Sequence, residues 1–235
     1  MNIAKLILHY NTFDLTMDLA RSIPEAIIID NGSINTDTDY FPVEFPNRKI
    51  RFEDNLGFTP NWNRAIQWIR ENYPDENFEA YWLMNSDIQI DRNSVNRIED
   101  LMSKHDIPMI TPAYNCWMRH CTNLGTGSFR PVTNIEFTAP IIRSDVFDAI
   151  GYFDQRFLLG YGVEFDFAIR MREAGFQMYC DDGSSFHHIG QQSINKEEGI
   201  AAYSRHAIEE LRKGMAEKHG EHWKRQFTAL NLKTI

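Results

Sequence analysis

The 235-residue chain has little cysteine, no long apolar run and no surplus of basic charge, and each shortage narrows what it can do. Three cysteines make an odd number with no framework spacing, which fits a reducing compartment rather than a disulfide-built secreted fold. Cys116, His120 and Cys121 sit close together, but no second Cys/His pair at zinc spacing accompanies them, so they read as ordinary buried or loop residues. No uninterrupted apolar span reaches the ~18 residues of a membrane-crossing helix. Nor does a charged segment lead into an apolar signal core at the N-terminus. The expected location is therefore the cytoplasm. Lys and Arg total 24 against 33 Asp and Glu, for a net charge of -9, which argues against a general nucleic-acid binder. A small anionic ligand stays compatible with that balance if a metal or helix N-termini neutralise it. The glycine spacing of dinucleotide and P-loop sites is missing too. Gly125-Thr126-Gly127-Ser128 reads as the tip of a loop over 114–131.

What is present alternates between short apolar runs and helical periodicity, the pattern of an α/β fold with a mostly parallel central sheet flanked by helices. Ile3 to Leu8 is a first buried strand, followed by a helix capped at Asn11 or Thr12 and running to about Ser22. Ala26 to Ile29 is a second strand, and it ends in the turn Asp30-Asn31-Gly32-Ser33. Arg48 to Phe52 is a third. Thr59 as cap and Pro60 at the first helical position start a helix that turns Trp62, Ala65, Ile66, Ile69 and Tyr73 inward. Asn63 lies off that stripe. Tyr81 to Asn85 is an apolar strand whose polar tip, Asn85-Ser86-Asp87, sets a fixed negative charge at the sheet edge.

A helix over 91–104, a strand over 108–112, a strand from Asn134 to Ile142 and a short helix stopped by Gly151 follow. A helix from Val163 to Ala174, stopped by Gly175, comes next, and then a strand over Phe176 to Cys180. Positions 196–227 read as helical and charged. Two parallel strands joined by a helix place their polar tips on one carboxyl edge, where ligands of open α/β sheets bind.

Taken in order, seven segments carry a family likeness: Asp30 to Ser33; Asn55 to Phe58 with Asn63; Asn85 to Asp87; Ala139 to Arg143; Gly151 to Asp154; Glu164 to Arg170; and His187-His188-Ile189-Gly190. In these the chain resembles the family-two glycosyltransferases of the GT-A fold, particularly their bacterial rhamnosyltransferase-like branch. Two positions depart from the family pattern. Asn85 stands where an Asp-x-Asp motif has its first Asp, and Val163-Glu164 stand where Glu-Asp is usual, so Glu164 occupies the place of the family's catalytic Asp.

The resemblance implies an inverting, metal-dependent transferase that moves a sugar from a nucleoside diphosphate to a hydroxyl of a glycan or lipid-linked acceptor. Its cofactor would be Mn2+ or Mg2+, its work surface-glycan assembly, and its membrane contact peripheral where the acceptor is lipid-linked. Asp87 and His187 are the implied metal ligands, with the adjacent His188 as the alternative to His187, and Glu164 is the implied base or, alternatively, a group that orients the acceptor by hydrogen bonding. Asp166, four before Arg170, has the spacing of an intrahelical ion pair and is the more structural carboxylate. His9, Asn11, Asp30, Asn31, Asn55, Gly57, Asn63, Asn85 and Ser86 would join Asp87 in holding the nucleotide sugar. The expected organisation is one domain over 1–235: a nucleotide-binding half to 90, an acceptor-binding half to 190 and a C-terminal helical segment. Two other readings stay open. A sugar nucleotidyltransferase should carry a Gly-rich basic loop where this chain has His9-Tyr10-Asn11, and a non-catalytic nucleotide-sugar-binding member would fit the changed Asn85.

Overall fold

The structure, a computed structural model, describes residues 1–34, 47–115, 121–190 and 199–228. Cys116 and His120 lie outside them, while Cys121 is buried. One sheet of nine strands runs through these residues in the order β3-β2-β1-β4-β8-β6-β9-β5, with β7 paired to β9. The strands are β1 Ile3–His9, β2 Ile27–Asn31, β3 Lys49–Phe52, β4 Ala80–Asn85, β5 Ile88–Ile90, β6 Met109–Tyr114, β7 Phe129–Val132, β8 Ile141–Arg143 and β9 Met178–His188. Helices α1 Phe13–Ser22, α2 Phe58–Asn72, α3 Arg92–Lys104, α4 Ser144–Ile150, α5 Val163–Glu173, α6 Ile200–His219 and α7 Trp223–Thr228 accompany them.

The expected parallel sheet holds for β3, β2, β1 and β4. Beyond β4 the sheet is mixed: β8 runs antiparallel to both β4 and β6, while β6 and β9 are parallel. From β1 the chain moves outward to β2 and β3, then returns to place β4 on β1's other side. The strand order therefore reverses between β1 and β4, and the crevice outside their carboxyl ends is where such sheets bind ligands. His9 ends β1 and Asn85 ends β4 on that edge.

The α2 stripe packs as its spacing predicts, with Trp62, Ala65, Ile66 and Ile69 fully buried. The helix begins earlier than the Thr-Pro signal suggests, because Gly57 is the cap residue. The Leu158 carbonyl supplies the acceptor that a side-chain cap would have given, receiving Phe58 N–H at 2.7 Å. Thr59 turns its hydroxyl instead to the carbonyl of Phe157.

Two strand expectations change. The run 134–142 yields only β8 as regular strand. Thr138 and Pro140 still accept Asn85 and Leu83 N–H groups at 2.9 Å each, but Pro140 has no N–H to return, so the ladder stays one-sided. Conversely, β9 continues eight residues past Cys180, through the polar run Asp181-Asp182-Gly183-Ser184. Its register against β6 jumps from Pro112 opposite Asp181 to Ala113 opposite Ser185, a bulge that absorbs the turn-like residues. Arg97 meets Asp181 at 2.8 Å and Arg130 meets Asp182 at 3.3 Å, which compensates two buried carboxylates inside a strand. β9 thereby carries both candidate histidines on a strand rather than a loop. None of the helices in the described residues is long and apolar enough to cross a membrane.

Candidate active site

Beneath the carboxyl edge lies a buried hydroxyl–imidazole network. His9 is fully buried, and its Nδ1 is 2.8 Å from Thr16 Oγ1 and 3.4 Å from Thr12 Oγ1. Thr12 precedes α1 but makes no side-chain cap; its hydroxyl lies 2.7 Å from that of Ser86. His9 and Ser86, both expected at the nucleotide sugar, are tied to each other through threonines. They fix the ends of β1 and β4 relative to α1.

Asp87 follows in the turn between β4 and β5, with only 4% of its surface exposed. Its carbonyl accepts Ile189 N–H at 2.9 Å, which closes the β5–β9 pair over it. Of the two adjacent histidines, His188 turns toward it, with Nε2 3.3 Å from Asp87 Oδ1. His187 lies one residue back along β9, opposite the exposed Gln89, and is itself exposed. The strand's two-residue alternation decides this, because neighbours on a strand face opposite sides. His188, rather than the expected His187, is thus the histidine that lies beside Asp87. Asn115, just past β6, fixes that residue's backbone from both sides: its Oδ1 accepts His188 N–H at 2.7 Å and its Nδ2 donates to His188 O at 3.1 Å.

One carboxylate oxygen and one imidazole nitrogen converging on the same space suit a divalent cation of borderline hardness. No group of three or more His, Cys, Asp or Glu side chains arranged for a metal occurs among the described residues, so a cation here would take its other ligands from a diphosphate and water. Asn85 is half-buried beside them, its N–H given to Thr138.

The second wall descends from β2. Asp30 is buried, accepts Ser33 N–H at 3.0 Å, and lies 3.4 Å from Arg51 Nη1. Asn31 donates to Asn55 Oδ1 at 3.0 Å, while its own buried Oδ1 has no hydrogen-bond partner among the described residues. Asn55 Oδ1 also receives Gly57 N–H at 2.9 Å. Asn11, in the left-handed region at φ 51, accepts Ile34 N–H on its Oδ1 and donates its own N–H to Ser33 Oγ, both at 3.0 Å. It links the first two loops.

Two more of the residues expected at the nucleotide sugar make close contacts within the fold. Asn63 is buried in α2 and clamps Phe153, donating to its carbonyl at 2.8 Å and accepting its N–H at 3.0 Å. Gly57 sits at φ 95, and an added Cβ would lie 2.7 Å from Leu158 O. The close approach that requires glycine in this structure is to Leu158.

That segment leads into α5 and Glu164. The Glu164 carboxylate accepts Gly162 N–H at 2.9 Å. Burial pushes its pKa up to about 7; its own and Gly162's N–H groups pull the other way, and the neighbouring Glu136 adds to the rise. The helix N-terminus, which should favour the ionised form, is outweighed by desolvation. Asp166 is fully buried and takes the structural part. Arg170 meets it at 2.9 Å, as the spacing predicts, and Lys218 and His219 from the end of α6 each lie 2.8 Å away. Glu136 escapes sequence reading because it falls in a stretch taken for regular strand. A carboxylate flanked by apolar residues was the only signal that could have marked it.

No protein-family model matches the chain. It is 23% identical over 223 residues to uncharacterised proteins of Mycobacterium bovis and Mycobacterium tuberculosis, a match covering 90% of this chain and 82% of each relative. Among solved structures it resembles GalNAc-T7 with UDP, GalNAc and Mn2+, at a TM-score of 0.63 and 10% identity. That match covers 97% of this chain and 54% of the other, so the chain spans about half the length of that protein. It also resembles residues 1–349 of S. aureus TarS in complex with UDP-GlcNAc, at a TM-score of 0.61 and 12% identity over 97% of this chain and 72% of TarS. These neighbours are GT-A-type glycosyltransferases, and the chain shares their fold.

Proposed function

We propose that the protein is a glycosyltransferase that moves a hexosyl or deoxyhexosyl group from a nucleoside-diphosphate sugar to a hydroxyl of a glycan or lipid-linked acceptor, with a divalent cation and with inversion. The observation that carries this reading is the buried Asp87 with His188 beside it, at the end of the central parallel strand of a GT-A sheet. The neighbours' UDP and UDP-GlcNAc make a uridine nucleotide the first donor class to test, and the Mn2+ beside UDP in GalNAc-T7 makes manganese the first cation. When bound, the cation supplies positive charge against the departing diphosphate.

The chain's own groups divide the remaining work. Asp87 and His188 would hold the cation that meets the diphosphate, with Asn85 adjacent. Asp30 with Arg51, and Asn31 with its unengaged Oδ1, present hydrogen-bonding groups to the base and ribose. Glu164 removes the acceptor's proton as its oxygen attacks the anomeric carbon. A carboxyl near neutrality is a stronger base than an ordinary one and still keeps about half of its population ionised at pH 7. A single displacement by that oxygen inverts the anomeric centre. Such an enzyme would serve surface-glycan assembly from the cytoplasmic side, touching the membrane peripherally where its acceptor is lipid-linked.

The test is calorimetric titration with a panel of nucleoside-diphosphate sugars, UDP-GlcNAc among them, in Mn2+ and in EDTA, followed by assay of nucleotide diphosphate release. The expected result is metal-dependent binding with slow hydrolysis. Binding that is indifferent to metal and survives Asp87→Ala would remove the metal role, and a wild type that binds no member of the panel would end the proposal.

A further inference from the structure

Glu136 is brought to the site by a specific set of contacts. Thr138, two residues on, is bonded to Asn85 N–H, so Glu136 lies beyond the carboxyl end of β4, on the Asp87 side. The Phe137 ring packs edge-on against Phe153 at 4.8 Å and against Phe167 of α5 at 5.7 Å. Phe167 is one helical turn after Glu164, so this packing sets the 136–137 segment against the face that carries Glu164. The charge of Glu136 is felt there and helps to raise the Glu164 pKa. Tyr114 then fixes the carboxylate: its hydroxyl donates to Glu136 Oε2 at 2.5 Å, and its ring stacks on Phe186 at 4.5 Å with planes 14° apart. Its sequence neighbour Asn115 is the residue that holds His188. One dipeptide at the end of β6 therefore positions both the cation side and the second carboxylate.

Glu136 and Glu164, both half-buried and near enough for the charge of one to act on the other, suit a ligand that donates two neighbouring hydrogen bonds. We propose that Glu136, positioned by Tyr114, binds the acceptor by accepting a hydrogen bond from a hydroxyl adjacent to the one that Glu164 deprotonates. The preferred acceptor is then a pyranose ring with a vicinal diol. Tyr114 engages Oε2, and a carboxylate accepts at both oxygens, which leaves Oε1 for the ligand. No proton moves to Glu136; the attacking hydroxyl's proton goes to Glu164.

The inference rests on the transferase reading above, and its test separates the two. With the donor identified by the panel, transfer is measured to methyl α-glucopyranoside, α-mannopyranoside and α-galactopyranoside and to their monodeoxy analogues, with water as the competing acceptor. The wild type should favour at least one intact glycoside over its deoxy analogue by about tenfold or more in kcat/KM, since a lost hydrogen bond to a charged group costs about ten- to hundredfold. Glu136→Gln should erase that preference, raise the glycoside KM more than it lowers kcat, and shift the partition from glycoside toward water. Tyr114→Phe, which leaves the carboxylate in place but unheld, should fall between the two. An unchanged preference in Glu136→Gln overturns the proposal. So does an equal fall in transfer to glycoside and to water, which would make Glu136 a support of Glu164 alone, and so does a wild type that accelerates with no glycoside. Failure of the transferase reading looks different, because no nucleotide sugar would then bind the wild type.

Discussion

Glu164 illustrates how burial sets the chemistry of one side chain. A pKa of about 7 means that its basic form is lost as the pH falls through neutrality. The kcat/KM profile should therefore show an acid limb near about 7, and Glu164→Gln should lower kcat by about 10²–10⁴-fold while removing that limb. Stability runs the other way. A carboxyl whose folded value lies above its ordinary 4.5 favours the fold below 4.5 and loses that contribution as the pH rises through about 7. Glu164→Gln should thus melt higher than the wild type at pH 8 and alike at pH 4, which thermal unfolding at the two pH values can check. The histidines offer a sharper contrast. His188→Ala should weaken metal-dependent nucleotide binding by about tenfold or more, as expected for a lost cation ligand, while His187→Ala, on the exposed side of the strand, should stay within about threefold. Equal effects from the two substitutions would refute the assignment.

At the scale of elements, α2 and the 151–162 segment are joined at several points. Asn63 holds Phe153, Leu158 O caps the helix, and Thr59 reaches Phe157 O. Asn63→Ala leaves a buried N–H and carbonyl of Phe153 unpaired, which should cost about 1–3 kcal/mol in urea unfolding, with a secondary fall in kcat because the same segment leads into Glu164. A loss of donor binding without any loss of stability would return Asn63 to the nucleotide wall. The Asn63 outcome shows what a sequence motif can hide. Its spacing places the asparagine in the first turns of α2, but whether the amide meets a ligand or a backbone depends on a loop 90 residues away. The same holds for Gly57, where an added Cβ would meet Leu158 O, about a hundred positions along the chain.

Across the molecule, α6 returns the chain to the site. Tyr203 donates to Leu159 O at 2.9 Å and Glu210 accepts Leu159 N–H at 3.0 Å, so the segment before Glu164 is gripped from both sides. Farther along, Lys218 and His219 close on Asp166, and Lys218 also meets Asp154 at 2.7 Å. Asp166 is thus the anion shared by α5 and the end of α6. Asp166→Ala strands Arg170 without its carboxylate, leaves Lys218 only Asp154, and should destabilise the fold by about 3–5 kcal/mol, measured by urea unfolding. A change below about 1 kcal/mol would mean that the cluster contributes little beyond surface pairing. The tail segment that the sequence marks as helical and charged is therefore part of the site's support.

The sequence by itself determined the alternation of strands and helices, the carboxyl edge on which Asp30, Asn31, Asn55 and Asp87 gather, and the pairing of Asp166 with Arg170. Each follows from local chemistry: apolar periodicity, turn residues at strand ends, and i,i+4 spacing on a helix. Tertiary structure alone decided that His188 rather than His187 meets Asp87, because strand alternation acts only once β9 is known to continue through its bulge. It decided likewise that Glu164 titrates near neutrality, because desolvation depends on what covers a carboxylate, and that Glu136 stands beside it, because two segments 28 positions apart are joined by packing among Phe137, Phe153 and Phe167.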